Sequence, residues 1–193
     1  INPNPPVTII FFIIYFFTLV ESISIVEYTY RMSISRQNLT AIIVTFKSEE
    51  VIHDCINSID SEIKILVVDN SNDTIFKNKL ESKYKNVTCI LSKKNIGMGA
   101  GNNLGIKFVT TDFVLILNPD VILEKQTINE IINASEQINS FGVIAPMEVN
   151  KNYPNYKLGN KLESDSNNPF NVKSVDGYAM VLNLKRLNQI DGF

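Results

Sequence analysis

The sequence predicts an α/β protein built on a mostly parallel β-sheet with helices on both faces. Three observations predict it. From Leu39 onward, short apolar, β-branched runs alternate with segments whose apolar residues recur at helical spacing. The runs are apolar throughout, as strands covered on both faces must be. Polar or glycine-rich stretches follow one run after another, at the positions where an open α/β sheet binds its ligands.

LTAIIVTF (39–46) is the first predicted strand. SEEVIHDCINSI (48–59) puts Val51, Ile52, Cys55, Ile56 and Ile59 on one face of a helix, with Ser48 as the expected N-cap. IKILVVD (63–69) is the second strand, and DTIFKNKLESKY (73–84) is a helix capped by Asp73. VTCIL (87–91) is the third strand, and GAGNNLGIKFV (99–109) is expected to be helical despite its glycines. DFVLILN (112–118) is the fourth strand. EKQTINEIINASEQI (124–138) is a helix with Ile128, Ile131, Ile132 and Ile138 as its apolar stripe, and GVIAP (142–146) is a fifth short strand. Residues 147–171, rich in Asn, Lys, Pro and Ser, are expected to form a long surface loop. VKSVDGYAMVLNLKRLNQI (172–190) then returns to a strand and a short helix.

With 193 residues, 45% of them apolar and 20% charged, the chain can bury one real core. A net charge of −2 gives no electrostatic case for nucleic acid as a partner. The two cysteines, Cys55 and Cys89, form no C-x-x-C, which argues against a disulfide framework and fits a reducing compartment. Both are expected to be small apolar core residues.

Residues 1–38 stand apart as an N-terminal extension, and residues 39–193 as the domain. The apolar run VTIIFFIIYFFTLV (7–20) would span roughly 21 Å as a helix, short of the roughly 30 Å hydrocarbon core of a bilayer. No Lys or Arg precedes it, so it lacks the basic region of a signal peptide. The favoured reading is upstream sequence or a poorly packed extension, since the first methionine is Met32. The sharper reading is a membrane anchor.

The candidate site residues lie at the strand ends. The first strand ends in Thr45-Phe46-Lys47, the second in Asp69-Asn70-Ser71 and the fourth in Asn118-Pro119-Asp120, while the third leads into KKNIGMGAGNNLG (93–105). A carboxylate thus follows two buried strands and a glycine cluster follows a third. Asp69 and Asp120 also fit simple turn punctuation, and Asp176-Gly177 fits a plain turn. A helical glycine costs about 1 kcal/mol relative to Ala. Gly97, Gly99, Gly101 and Gly105 therefore call for a backbone approaching a ligand, a helix approaching the sheet, or positive φ. Their spacing is not G-x-G-x-x-G and they follow the third strand, which excludes a nicotinamide dinucleotide site. Lys93 and Lys94 fit either a solvated loop or a diphosphate contact.

AIIVTFKSEE, ILVVDNSNDT, NIGMGAGNNLGI, VLILNPDV and VDGYAMVLN…IDGF resemble, in that order, the successive motifs of family-two glycosyltransferases, most closely the rhamnosyltransferase-like bacterial branch. The resemblance covers roughly residues 39–193. It implies a GT-A fold, a Rossmann-like nucleotide-binding α/β sandwich. It implies transfer of a hexosyl group, with inversion, from a dTDP- or UDP-linked sugar to an acceptor hydroxyl, in the synthesis of cell-surface polysaccharide. It implies a base pocket at Thr45, Phe46, Asp69 and Asn70, with Asp69 accepting from the base N–H. The glycine-rich stretch with Asn95, Gly97, Gly99 and Asn103 would flank the nucleotide. Asn118, Asp176 and Gly177 would face the donor sugar or the acceptor.

The family's D-x-D reads Asn118-Pro119-Asp120 in this chain, so Asp120 is the implied ligand of Mg²⁺ or Mn²⁺. One carboxylate can suffice, because such a cation takes much of its shell from substrate phosphates and water. Pro119 biases Asn118 toward an extended conformation. The implied partners are a nucleoside diphosphate sugar and a saccharide or lipid-linked acceptor, in the cytoplasm or at the inner face of the membrane with peripheral association. The family carries its base just after the motif that begins at Gly192-Phe193. The expectation is a C-terminally truncated, inactive fragment whose catalytic base lies beyond Phe193. The alternatives are a non-catalytic α/β nucleotide-binding module, such as a receiver domain, and a nucleotidyltransferase. The first would need clustered acids after the first strand, where only Glu49 and Glu50 occur. The second would need a glycine-rich basic loop there, which is absent.

Overall fold

The structure is a computed structural model that describes residues 11–14, 33–138, 140–148, 154–158 and 168–187. In chain order its elements are β1 (Phe11–Ile14), a 3-10 turn (Arg36–Asn38), β2 (Leu39–Thr45), α1 (Ile52–Ser58), β3 (Lys64–Asp69), α2 (Thr74–Lys83) and β4 (Val87–Leu91). There follow α3 (Gly97–Ile106), β5 (Phe113–Leu117), α4 (Thr127–Gln137) and β6 (Val143–Pro146). The last are β7 (Tyr156–Lys157), β8 (Phe170–Asn171), β9 (Ser174–Val175), β10 (Ala179–Asn183) and α5 (Leu184–Leu187).

Eight strands form one sheet in the order β4-β3-β2-β5-β10-β6-β1-β8, and β7 pairs with β9 alone. β4, β3, β2 and β5 are parallel, with Thr45 opposite Asp69 and Ile43 opposite Leu117. β10 is antiparallel to both of its neighbours, with Ala179 opposite Leu117 and Val181 opposite Ile144. The fifth predicted strand, β6, therefore does not pair with β5. The run AMVLN, buried from Ala179 to Leu182, lies between them.

Alternation along each strand divides the core into two layers. Ala41, Ile43, Ile65, Val67 and Cys89 face α1, α2 and α4 through Ile52, Cys55, Phe76, Leu80, Ile128 and Ile131. Ile42, Val68, Val114 and Ile116 face the other way, with Leu104 and Ile106 of α3 and Leu184 and Leu187 of α5 packed on them. This is the α/β sheet with helices on both faces that the sequence predicts.

α3 sits close to the sheet because it presents glycine there. A Cβ on Gly101 would lie 2.7 Å from Val44 Cγ1, and one on Gly105 would lie 2.9 Å from Ile42 Cγ2. Gly97 has φ +79° and opens the helix, whereas a Cβ on Gly99 would meet nothing within 4 Å. Gly101 and Gly105 thus serve helix–sheet approach and Gly97 serves positive φ.

Asp73 caps α2, its carboxylate accepting from the Ile75 and Phe76 amides at 2.7 and 3.0 Å. Ser48 does not cap α1. Its carbonyl accepts the Val51 and Ile52 amides, its hydroxyl donates to Phe46 O, and the helix starts only at Ile52 with Val51 as an N-cap without a side-chain bond. α3 starts two residues earlier and stops three residues earlier than predicted, and α4 begins at Thr127 after a loop.

The stretch 147–171 is not all surface loop. It contributes β7 and β8, and Asn155 is 2% exposed. The Asn155 side chain donates to Pro146 O at 2.9 Å and accepts from Glu148 N at 3.0 Å.

Within the extension drawn from the sequence, Phe11–Ile14 forms β1, antiparallel to β6 and parallel to β8. The rest of the apolar run 7–20 lies outside the described residues, as does Gly192-Phe193. Among the described residues no helix is long and apolar enough to cross a membrane. Ile34 is 1% exposed, and its N–H donates to Ser135 Oγ at 2.9 Å. Arg36 bonds Asp60 at 2.6 Å and Asn129 at 2.7 Å. Residues 33–38 therefore pack as part of the domain, ahead of the boundary drawn at Leu39.

Gly101→Ala and Gly105→Ala are each expected to destabilise the fold by about 1–3 kcal/mol in urea unfolding, through overpacking against β2. Gly99→Ala is expected to be neutral or to stabilise by up to ~1 kcal/mol. Equal effects at all three positions would contradict the close approach of α3. Cys55 and Cys89 are free and buried, and burial pushes both thiols up to about 12. A thiol-reactive chromophore is expected to label neither in the folded chain and both in denaturant. Rapid labelling of the native protein would show that one of them is reachable.

Candidate functional site

The chain order β2, β3, β4 moves across the sheet in one direction, and β5 then returns to the other side of β2. The strand order reverses between β2 and β5. A crevice at their carboxyl ends is where open α/β sheets bind ligands. The predicted site residues fall into two groups along this edge.

The first group surrounds the ends of β2 and β3 and the start of α3. Thr45 is 1% exposed, whereas Phe46 is 48% exposed and lies beneath Lys47 Nζ, 5.5 Å from the ring centroid. Lys47 takes φ 54°, and its amide donates to Ser71 Oγ at 2.8 Å, so the chain turns sharply and ties the β2 end to the β3 end. Asn70 donates its amide N–H to Thr45 O at 2.8 Å and its side-chain N–H to Gly97 O at 3.2 Å. Asn95 Oδ1 accepts from Gly97 N at 2.9 Å and sets up the positive-φ entry into α3. Gly99 is exposed on the first turn of α3, and Asn103 is half-buried farther along it.

Asp69 occupies this group in an unexpected way. It is 0% exposed, and its two carboxylate oxygens accept the amides of Ser71 at 3.0 Å and Asp73 at 2.8 Å. As the chain stands, Asp69 holds the β3–α2 loop and presents no open face to a base. The turn reading of this residue is therefore the one its contacts match.

The second group lies at the ends of β5 and β10. Asn118 is half-buried, and its N–H donates to Tyr178 O at 2.8 Å. Asp120 is exposed beyond it. Because β10 runs antiparallel to β5, Asp176 and Gly177, both exposed, arrive beside Asn118-Pro119-Asp120. The Asp176 amide donates to Asn155 O at 2.8 Å, which fixes this turn on the 147–158 segment. The Tyr178 hydroxyl donates to Glu148 Oε2 at 3.0 Å. Burial, then that bond, pushes the Tyr178 pKa above the usual tyrosine range, so it remains a donor.

The charges are segregated. Asp120 and Asp176 stand exposed on the β5–β10 side, and Lys47, Lys93 and Lys94 stand exposed after β2 and β4. Among the described residues no three His, Cys, Asp or Glu come together as a metal cluster, so a cation there would rest on Asp120 and on its ligand. An exposed carboxylate fits a hard divalent cation.

Sequence reasoning missed Asn102, Asn155 and Glu148. Among the described residues, Thr45 Oγ1, Asn70 Oδ1 and Asn102 Oδ1 are three of the four buried side-chain oxygens with no hydrogen-bond partner. Buried polar groups are usually paired, so their concentration near the end of β2 singles out this edge as a candidate for binding a polar ligand. The only sequence signal for Asn102 is its place in the Asn102-Asn103 doublet after Gly101, at the level of Val44. Asn155 and Glu148 lie in a stretch whose polar composition reads as loop.

Comparison with known proteins bears on this edge. The chain is 31% identical over 118 residues to the low-salt glycan biosynthesis hexosyltransferase Agl10 of Haloferax volcanii, a match that takes in 59% of this chain and 38% of that protein. Its fold is similar to that of S. aureus TarS 1–349, with TM-score 0.56 and 18% identity over 80% of this chain and 49% of that one. It is also similar to the mannosyltransferase PcManGT from Pyrobaculum calidifontis, whose structure holds GDP-Man and Mn²⁺, with TM-score 0.59 and 14% identity over 82% of this chain and 48% of that one. The chain thus spans half or less of the length of these relatives. These likenesses show the GT-A type of α/β fold. The model of glycosyl transferase family 2 matches residues 40–181, from the second residue of β2 to the middle of β10. The stretch takes in both groups of site residues, and the chain belongs to glycosyl transferase family 2.

Proposed function

We propose that this chain carries the donor-binding core of an inverting glycosyltransferase that takes a dTDP- or UDP-linked sugar. The observation that carries this reading is the division of one sheet edge. Buried polar side chains at Thr45, Asn70 and Asn102 share that edge with exposed carboxylates at Asp120 and Asp176. The nucleoside would occupy the first part, against Thr45, Phe46, Asn70 and the Asn95–Asn103 stretch. Asp69 would act from beneath, by holding the loop that carries Asn70. The diphosphate would lie toward Asp120, and Asn118, Asp176 and Gly177 would face the donor sugar.

Asp120 and the substrate phosphates would hold Mg²⁺ or Mn²⁺, which stabilises the charge of the departing diphosphate. The acceptor hydroxyl attacks the anomeric carbon from the face opposite the diphosphate. A new C–O bond forms as the old one breaks, and the hydroxyl proton passes to a general base. We assign no residue of this chain to that last role. The motif order supports placement in the rhamnosyltransferase-like branch, and the Agl10 likeness supports a role in surface glycan synthesis. On that reading the acceptor is a saccharide or lipid-linked saccharide, met in the cytoplasm or at the inner face of the membrane.

Calorimetric titration of UDP and dTDP, with Mn²⁺ and with EDTA, tests the reading. Metal-dependent binding of either nucleotide is expected, and binding of neither would overturn it. Asp120→Ala is expected to remove the metal dependence while changing stability by no more than about 0.5 kcal/mol, because the side chain is exposed. Asp69→Ala is expected to behave differently. Loss of a buried carboxylate with two backbone partners should cost about 2–4 kcal/mol of stability and weaken nucleotide binding with and without metal. If Asp69→Ala lowered affinity with stability intact, Asp69 would be a direct base contact.

A further inference from the structure

Asp120 sits on an excursion of the chain that leaves β5 at Asn118 and returns to the core at Leu123. Asp120 and Ile122 are exposed at its crest, Ile122 at 66%, whereas Leu123 is 7% exposed. Both ends of the excursion are held by one helix. The Cys55 thiol, buried in the middle of α1, donates to Asn118 O at 3.5 Å. One turn later, Ser58 Oγ accepts from Leu123 N at 3.0 Å and donates to Cys55 O at 2.7 Å. The Asn118 carbonyl also accepts from Val121 N at 3.2 Å, and its N–H goes to Tyr178 O. The backbone at each end of the excursion is therefore bonded, while the carboxylate between them is left open.

We infer that Cys55 and Ser58 are positioning residues for Asp120. α1 acts as a brace that sets where the carboxylate meets a divalent cation. The inference rests on the reading of Asp120 as the cation's protein ligand. Ser58 is the better half to test. It is in the last turn of α1, where Ala is a favourable helix residue, so Ser58→Ala retains the fold. It deletes the acceptor of Leu123 N without touching Asp120.

The test measures Mn²⁺ binding to the chain by loss of the free-ion electron paramagnetic resonance signal, with UDP and dTDP as probes, and nucleotide affinity in EDTA by calorimetry. Ser58→Ala is expected to weaken Mn²⁺–nucleotide binding by roughly three- to tenfold, the effect of one lost hydrogen bond. It is expected to leave metal-free nucleotide affinity unchanged. In an Asp120→Asn background the same substitution is expected to have no further effect on Mn²⁺ binding, because its influence passes through that carboxylate. An equal loss with and without metal, an undiminished loss in the Asp120→Asn background, or no loss at all overturns the brace. If Asp120→Asn alone leaves Mn²⁺ binding intact, the ligand reading of Asp120 falls and the brace falls with it. That outcome differs from a failure of the brace alone, in which Asp120→Asn abolishes Mn²⁺ binding and Ser58→Ala does not alter it.

Discussion

A carboxylate taken out of water must be given hydrogen bonds, and at Asp69 the fold meets that demand with the loop that follows the strand. The Ser71 and Asp73 amides turn inward to Asp69, so the chain reverses within four residues of the end of β3. That reversal places Asp73 to cap α2 and Asn70 to reach across to Gly97. The Asp69 carbonyl accepts from Ser92 N, and Thr45 O accepts from Asn70 N, so the ends of β2, β3 and β4 are joined through two adjacent residues. The junction of these three strand ends is thus a consequence of satisfying one buried carboxylate.

The wall opposite that junction depends on a second constraint. α3 must come near enough to β2 to enclose Thr45 and Asn102, and the absence of Cβ at Gly101 and Gly105 permits it. Gly97 supplies the positive φ that starts the helix at the edge of the pocket. These glycines lower intrinsic helix stability, and burial of Leu104 and Ile106 against the sheet offsets that loss. Gly99 fits neither role, and nothing in the packing explains it.

Much of this was legible in the sequence. The central strands β2 and β5 are nearly continuous apolar runs, and a strand buried on both faces can hardly read otherwise. The Asp73 cap was legible because its hydrogen bonds run to the next two or three residues. What escaped the sequence depends on partners distant along the chain. Ser48 looks like a cap, but the turn after Lys47 delays the helix until Ile52. Asn155 reads as loop because its burial comes from Pro146, Glu148 and Asp176. Asp69 and Asp120 look alike in the sequence, each closing an apolar run. Only the direction of the following backbone makes the first an internal acceptor and leaves the second an open carboxylate.

The insertion of β10 between β5 and β6 explains why the acids gather at one edge. In a parallel sheet the residues before a strand enter at the edge opposite the ligand site. A residue preceding a strand can reach the carboxyl edge only if that strand runs antiparallel, and β10 does. Asp176 therefore meets the residues after Leu117, although it precedes its own strand. β6 runs in the same sense as β5, so Glu148, which follows it, comes to the same edge and takes the Tyr178 hydroxyl. Acids from distant parts of the chain thus come to one edge of the sheet, and their local bonds decide which stay open. Glu148 is bonded by a tyrosine, while Asp120 and Asp176 face outward. Two open carboxylates on one edge concentrate negative charge there. A divalent cation beside them would lower that repulsion, which is how the direction of a single antiparallel strand supports the metal-dependent donor site proposed above.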